Sequence, residues 1–224
     1  VITKYVQLKI QYGEDIGVKV EDFRANNALE ISEKIKSANN DPSINGIIIQ
    51  LPLIDKSKTD ELCNLITPQK DVDGLGQNAS FDSATATAIL WLLSGYDIKL
   101  DNQKIAIVGR GKLVGMPLYK MFTNSGYDVT LFHRGDDSTN LKKYDVIITA
   151  TGVPGLIVDS MIKPGAILVD AGTASEDGAL KGDLATEIRK RTDLSAITPN
   201  TGGVGPLTVT CLFDHVIQSI TNNH

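Results

Sequence analysis

A chain of 224 residues has room for one large α/β domain or two small ones. Its 42% hydrophobic and 22% charged residues are the balance of an ordinary globular protein. A net charge of −5 gives no support for a nucleic-acid partner or for an anionic membrane surface. No apolar run reaches the roughly 20 residues of a membrane span. No signal peptide is visible, so the cytoplasm is the expected compartment. Cys63 and Cys211 sit in apolar helical text with no CxxC or histidine spacing, which points to reduced core thiols and to no metal site.

In chain order, Val1 leads without a methionine into helix text from Tyr5 to about Asp15, followed by a short strand at 18–20. A second amphipathic helix is expected over 29–40. GIIIQLPL reads as a buried strand from Gly46 to Gln50, which Pro52 forbids extending. A short helix over 58–66 stops at Thr67-Pro68, KDVDGLGQN (70–78) is turn text, and 82–94 is a long helix with Gly95 after its end. From Lys104 strands and helices alternate: strand 104–108, helix 114–125, strand 128–132, helix or turn 138–143, strands 145–149 and 166–170, helix 183–191 and strand 194–197. A last helix runs from Leu207 to about Ile220. The alternation predicts an α/β fold with a doubly wound parallel sheet of the Rossmann kind, ligands lying at the C-terminal strand ends. A lobe boundary is expected near Gly95 to Asn102, where the rhythm changes.

Two glycine-bearing stretches carry the chemistry. GRGKLVGMP (Gly109 to Pro117) lies between a buried strand and a helix, as a pyrophosphate cradle requires: glycines admit the phosphates and first-turn N–H groups donate to them. The second strand ends in His133 and Arg134, and Arg110 is in the turn. These cations suit a 2′-phosphate and favour NADP over NAD, the alternative being a pair of solvated surface arginines. The other stretch, TPNTGGVGPLT (Thr198 to Thr208), is too rich in glycine and proline for core and reads as a second shaped loop. Tyr5 and Lys9, four apart, share a helix face, which by itself is as compatible with a solvated lysine as with a site. Gln50 closes an apolar strand, where a buried amide needs a partner. Lys70 to Gly74 resembles a structural Asx turn.

YVQLK, GIIIQLPL, PQKDVDGLG, IVGRGKLVGMPL, PGAILVDAGT and TPNTGGVGPLTVTCL occur in the order of the bifunctional methylenetetrahydrofolate dehydrogenase/methenyltetrahydrofolate cyclohydrolase family, which the chain resembles from about Tyr5 to Gln218. The resemblance implies a folate-binding α/β catalytic lobe over 1–95, completed by a C-terminal helix over 206–224, and a nucleotide lobe over 96–205. It implies NADP-dependent oxidation of 5,10-methylenetetrahydrofolate, with NAD a possible substitute, and hydrolysis of the methenyl product to 10-formyltetrahydrofolate, in a homodimer. By the same resemblance Lys9 is the essential lysine, Tyr5 packs on the folate, Gln50 tunes the lysine and Asp73 holds the pterin edge. Leu51, Pro52 and the loop Gly202, Gly203, Val204, Gly205 and Pro206 border the folate. Gly109, Arg110, Gly111, Val114, Gly115, His133, Arg134, Thr151, Gly152 and Thr173 fall on the cofactor side.

The chain departs from the family pattern before Tyr5, where about fifty residues of the usual length are missing, including a neighbour for the strand at Gly46. It departs also at Gly111, Ile54, Thr201 and the short 79–84 segment. A monofunctional dehydrogenase and a folate- or nucleotide-binding pseudoenzyme are the alternative readings.

Overall fold

In a computed structural model of the chain, the described residues are 2–133, 135–172, 174–176 and 179–221. They form two compact units, Val1–Ala84 with Thr208–His224, and Thr85–Leu207.

The first unit is helical. Helix α1 spans Ile2–Ile16 and ends on a left-handed glycine, Gly17, at φ 74°. Gly17 N–H donates to Glu14 O at 3.2 Å and Val18 N–H to Gly13 O at 2.8 Å, the paired closure of a Schellman motif. This explains why the strand expected at 18–20 does not form. Those residues fold back over α1, so close that a Cβ on Gly13 would lie 2.7 Å from a Val20 methyl. Helix α2, Ala28–Asn40, starts at Asn27, whose side chain accepts from Glu30 N–H. A 3₁₀ turn, Lys56–Lys58, leads into the short helix α3, Thr59–Cys63.

The strand expected at 46–50 is likewise corrected. Its one pairing is an isolated parallel bridge between Ile47 and Asp71. A buried apolar run becomes a ladder only with extended neighbours on its edges, and among the described residues just this bridge is available. Helix α6, Val204–Thr221, supplies the rest of the packing: a Cβ on Gly46 would come within 2.9 Å of Val216 and 3.0 Å of Val72.

The second unit is a parallel sheet. Helices α4 (Ala84–Gly95) and α5 (Gly115–Asn124) accompany strands β1 (Lys104–Val108), β2 (Asp128–Phe132), β3 (Val146–Thr149), β4 (Ile167–Asp170) and a late strand at Ala196–Ile197. A hairpin not foreseen from the sequence, β5 (Ala174–Glu176) with β6 (Ala179–Lys181), precedes that late strand, β7. The sheet order is β2-β1-β3-β4-β7, all neighbours parallel. The chain reverses its winding between β1 and β3, so the crevice at a switch point lies beyond Val108 and Thr149.

Both sheet faces are buried, by different covers. Ile105, Ile107, Val146, Ile148 and Val169 pack with Ala86, Ile89 and Leu93 of α4 and with Leu118 and Phe122 of α5. Ala106, Val108, Ile147 and Leu168 pack instead against Leu141, Ile162 and Ile188, which lie on or next to 3₁₀ turns. Each buried valine, leucine, isoleucine or phenylalanine among them contributes about 1.5–3 kcal/mol. Helix α4, left with the first lobe by the sequence rhythm, packs on this sheet.

The helix expected at 183–191 is a second correction in this unit. Ile157 bridges Leu184, with Ile157 N–H to Asp183 O at 3.0 Å and Ala185 N–H to Ile157 O at 2.8 Å. Backbone used in that extended pairing is not available to a helix, and only a 3₁₀ turn, Thr186–Lys190, follows. No described helix is long and apolar enough to cross a membrane.

Candidate active site

Lys9 lies on α1, one turn after Tyr5 on the same face, and its Nζ donates to Gln50 Oε1 at 2.7 Å. The Gln50 amide nitrogen donates in turn to Leu51 O at 3.3 Å, before the cis Leu51–Pro52 bond. The sequence reading of a buried amide needing a partner is met by the lysine. Burial lowers the Lys9 pKa from the ordinary lysine value, and the charge of Asp73 opposes that shift in part. Asp73 is pushed up to about 6, by burial first, against the pull of Lys9 and with the help of Asp71. Burial also raises the Tyr5 phenol. Lys9, Gln50 and Asp73 thus form one electrostatic unit, in which burial disfavours the charge of both the lysine and the aspartate. Pro52 is exposed and Leu51 half-buried beside it.

Asp73 stays there because the rest of the KDVDG turn is structural. The buried Asp71 carboxylate accepts from Gly74 N–H at 3.1 Å, Leu75 N–H at 3.1 Å and Gly76 N–H at 2.6 Å, an Asx-type closure. Lys70 Nζ donates to Ala38 O, Asn39 O and Asp41 O at 2.9, 2.9 and 2.7 Å, completing the C-terminal end of α2. Gly74 has φ 68°, and a Cβ there would meet Asp82 O at 2.3 Å. From α6, His215 Nδ1 makes a 2.8 Å hydrogen bond with Val72 O, and its ring stacks on Phe81 at 4.6 Å. His215 Nε2 also lies 3.5 Å from Cys211 Sγ. Both cysteines are free thiols as expected, and the Cys211–His215 contact is a neighbour the sequence reading did not single out. The i, i+4 spacing on α6 was the available signal. Both cysteines are buried.

Asp73 gives a stability prediction. Its folded pKa of about 6 exceeds the ordinary 3.8, so the folded chain binds the proton more tightly than the unfolded one. The stability this contributes is complete below about 3.8 and is lost as pH rises through about 6. Asp73→Asn removes the titration. Relative to the native protein the variant should gain stability between pH 4 and 7, by on the order of 2–3 kcal/mol, and no further above pH 7. Urea melts at pH 4.5 and 7.5 check this, a constant difference at both being the contrary result.

In the second unit, the dinucleotide turn follows β1. Gly109 has φ 115°, and a Cβ on it would lie 2.5 Å from Ala150 O, so the turn rests directly on the end of β3. A Cβ on Gly115 would lie 1.8 Å from Gly109 O, so the helix start needs glycine for its own close packing. Gly111 is exposed, and a Cβ there would approach only Ala150 O, at 4.0 Å. Val114, the residue preceding α5, makes no side-chain capping hydrogen bond. An exposed glycine, a helix start without a side-chain cap and the exposed Arg110 beside them fit a pyrophosphate, with the Met116 N–H of that start donating to Gly111 O at 3.1 Å.

Other expected cofactor residues fare differently. His133 is exposed, and its ring Nδ1 lies 3.4 Å from Asp136 Oδ1, a local partner for the ring. Gly152, at φ 68°, follows Thr151 in the loop after β3. Arg134 and Thr173 lie outside the described residues. The glycine-rich loop also belongs to this unit by its first part: Gly203 and Val204 are buried, Gly202 has φ 85°, and α6 begins at Val204 rather than at the expected Leu207. Gly205 and Pro206 occupy its first turn, where proline loses no hydrogen bond.

Sequence reasoning missed a buried network behind the loop after β3. Asp170, at the end of β4, pairs with Arg189 at 2.7 Å and accepts from Asp183 N–H at 2.9 Å. Asp183 accepts from Thr151 N–H at 2.6 Å and Val153 N–H at 3.0 Å. The signal was there as an acid in each of the two apolar contexts, VDAG and GDL, where a lone buried charge requires partners.

Known proteins bear on both units. The family profile described as the tetrahydrofolate dehydrogenase/cyclohydrolase catalytic domain matches residues 2–73, and that of its NAD(P)-binding domain matches residues 83–224. The bifunctional protein FolD of Staphylococcus carnosus is 36% identical over 228 residues, covering 95% of this chain and 80% of that protein. The crystal structure of the bifunctional FolD methylenetetrahydrofolate dehydrogenase/cyclohydrolase of Campylobacter jejuni superimposes with a TM-score of 0.90 at 32% identity, over 100% of this chain and 84% of that one. The Trypanosoma brucei FolD enzyme, solved with NADP and an inhibitor, also gives 0.90, at 26% identity, over 99% of this chain and 83% of that one. The chain belongs to the tetrahydrofolate dehydrogenase/cyclohydrolase family.

Proposed function

We propose that this chain oxidises 5,10-methylenetetrahydrofolate with NADP and hydrolyses the methenyl product to 10-formyltetrahydrofolate, using Lys9 as the proton carrier of the second step. The observation that carries this reading is the half-desolvated Lys9 amine held 2.7 Å from an amide oxygen, Gln50 Oε1, with a buried Asp73 in its field.

The cofactor supplies the hydride acceptor. Hydride departure from the methylene carbon needs no protein base, because an adjacent folate nitrogen lone pair stabilises the cation left behind. What the chain contributes there is position. Gly109, Gly111, Val114 and Gly115 shape the phosphate turn, with Arg110 and Arg134 for a 2′-phosphate and Thr151, Gly152 and Thr173 on the remaining cofactor edge. Tyr5, Leu51 and Pro52 border the folate.

Hydrolysis does need proton transfers. Water attacks the methenyl carbon, and the neutral Lys9 amine takes a proton from it. The ammonium then returns a proton to the folate nitrogen as its bond to that carbon breaks, and one proton per turnover leaves to solvent. An amide partner suits this cycle. Gln50 Oε1 fixes Nζ through an N–H that both the amine and the ammonium possess, whereas a carboxylate at that place would hold the lysine charged. Asp73, able to carry or release a proton near pH 6, faces the polar edge of the pterin in this reading. The proposal includes a homodimer and a cytoplasmic location, both resting on family membership.

The test is one assay of purified protein with methylenetetrahydrofolate and NADP, followed at wavelengths that separate reduced cofactor from methenyl product. Reduced cofactor should accumulate with little methenyl build-up, because the second step consumes it. Reduced cofactor with stoichiometric methenyl compound would mark a dehydrogenase without cyclohydrolase action.

A further inference from the structure

The loop after β3 is held from behind by a buried carboxylate that the chemistry above does not use. Asp183 is inaccessible to solvent. Its Oδ2 accepts from Thr151 N–H at 2.6 Å and its Oδ1 from Val153 N–H at 3.0 Å, so the two oxygens straddle Gly152. Asp183 is itself fixed from both sides. Its own N–H donates to Asp170 Oδ1 at 2.9 Å, and the next residue, Leu184, donates to Asp170 Oδ2 at 3.2 Å. Asp170 is locked by Arg189 Nη2 at 2.7 Å and by Gly172 N–H at 3.1 Å.

Arg189 extends the same unit to the start of the other glycine loop, donating through Nη1 to Thr198 O at 2.7 Å, while Thr198 Oγ1 accepts from Asp170 N–H at 2.9 Å. Two glycines make the approach possible: a Cβ on Gly172 would lie 2.1 Å from Asp183 Oδ1, and one on Gly182 would lie 2.0 Å from Asp170 Oδ2.

Such an arrangement is costly for fold stability alone. Arg189 pairs with Asp170, while burial, and more weakly the neighbouring Asp170 charge, raises the Asp183 carboxyl above its ordinary range. An apolar core would serve the packing better. What the carboxylate does that an apolar residue cannot is to fix two backbone N–H groups on either side of a left-handed glycine, at the C-terminal end of a strand next to the switch point.

We propose that Asp183 is a positioning residue for the dinucleotide: it holds the Thr151–Val153 loop in its cofactor-receiving shape before the cofactor arrives, with Asp170 and Arg189 holding Asp183. The proposal rests on the reading of Thr151 and Gly152 as cofactor contacts. An ordered loop spares the cofactor the entropy of ordering it, so the effect falls on cofactor affinity rather than on folate binding.

The test is Asp183→Asn. The side-chain oxygen can still accept one loop N–H, but the amide nitrogen has no lone pair for the other. Dissociation constants for NADP, by calorimetry, should rise about tenfold, the scale of one lost charge-assisted hydrogen bond, while the KM for folate stays within about twofold of native. The thermal midpoint should fall somewhat in either case, because the amide nitrogen then faces a buried backbone N–H, so the NADP constant of the folded protein is the deciding readout. A purely structural role would lower the midpoint and leave the NADP constant of the folded protein unchanged, and that outcome overturns the proposal.

If the variant does not fold, amide exchange of the native protein decides. Slow exchange at Thr151 and Val153 without cofactor supports a preformed loop, and protection that arises only on adding NADP overturns it. Absence of NADP binding by the native chain would instead sink the cofactor reading, and this proposal with it.

Discussion

Lys9→Met should lower the hydrolysis of the methenyl compound by at least about 10²-fold while lowering dehydrogenation much less. The substitution keeps the length of the side chain and removes the amine, so the contact surface beside Tyr5 is preserved and only the proton carrier is lost. General acid–base help is worth typically 10²–10⁴-fold, whereas hydride departure is driven by the nitrogen lone pair and by stacking. The signature is therefore a change of product. With NADP present, the variant should release methenyl compound that the native enzyme passes on. Gln50 loses its donor in this variant, but its amide retains the bond to Leu51 O. Native-rate formation of the formyl compound by Lys9→Met would remove the lysine from the mechanism. The nearby group left to take over is Asp73, raised to about 6 by burial.

The second large effect concerns which dinucleotide binds. Alanine at both Arg110 and Arg134 should weaken NADP by roughly 10²-fold and NAD by little. Each charge-assisted contact with the 2′-phosphate is worth about 1.5–3 kcal/mol, tenfold or more in affinity. Arg110 is exposed in the turn after β1, as a phosphate reader must be, while His133 already has Asp136 at 3.4 Å and is the weaker candidate. Titration of both cofactors against the double variant distinguishes the cases. Equal losses would show that the arginines serve the shared pyrophosphate instead.

The second unit was legible in the sequence because its signals are local. KIAIV, a glycine turn and an amphipathic helix each declare themselves within a dozen residues, and parallel β1, β2, β3 and β4 follow at the expected places. The first unit was less legible, for a physical reason. GIIIQ has the composition of a strand, but a ladder depends on neighbours that a run of five residues cannot reveal, and here only Ile47 pairs. The stretch 18–20 failed similarly: Gly17 and Gly13 turn the chain back on α1, and the two valines serve as its cover.

Site residues divide along the same line. Tyr5 and Lys9 are visible as a helical pair and Gln50 as an anomalous amide, yet nothing in their spacing says that residues 41 apart hydrogen-bond at 2.7 Å. That pairing entered through the family resemblance. Of the supporting shell, Asp183 was marked only as an acid in apolar text, without its partners on the loop after β3, while Lys70 on the α2 carbonyls and His215 on Val72 were not legible at all. Each bridges segments far apart in sequence through a backbone partner, and a backbone partner leaves no residue-type signal.

The central claim is that desolvation near Gln50 and Asp73 makes Lys9 a proton carrier at working pH. The most direct measurement is an NMR titration of the side chains in lysine-labelled protein, with the Lys9 signal assigned by its absence from Lys9→Met. The account predicts that Lys9 titrates below the ordinary lysine value of 10.5. A Lys9 that titrates at or above that value would be a permanently charged ammonium, and would contradict it.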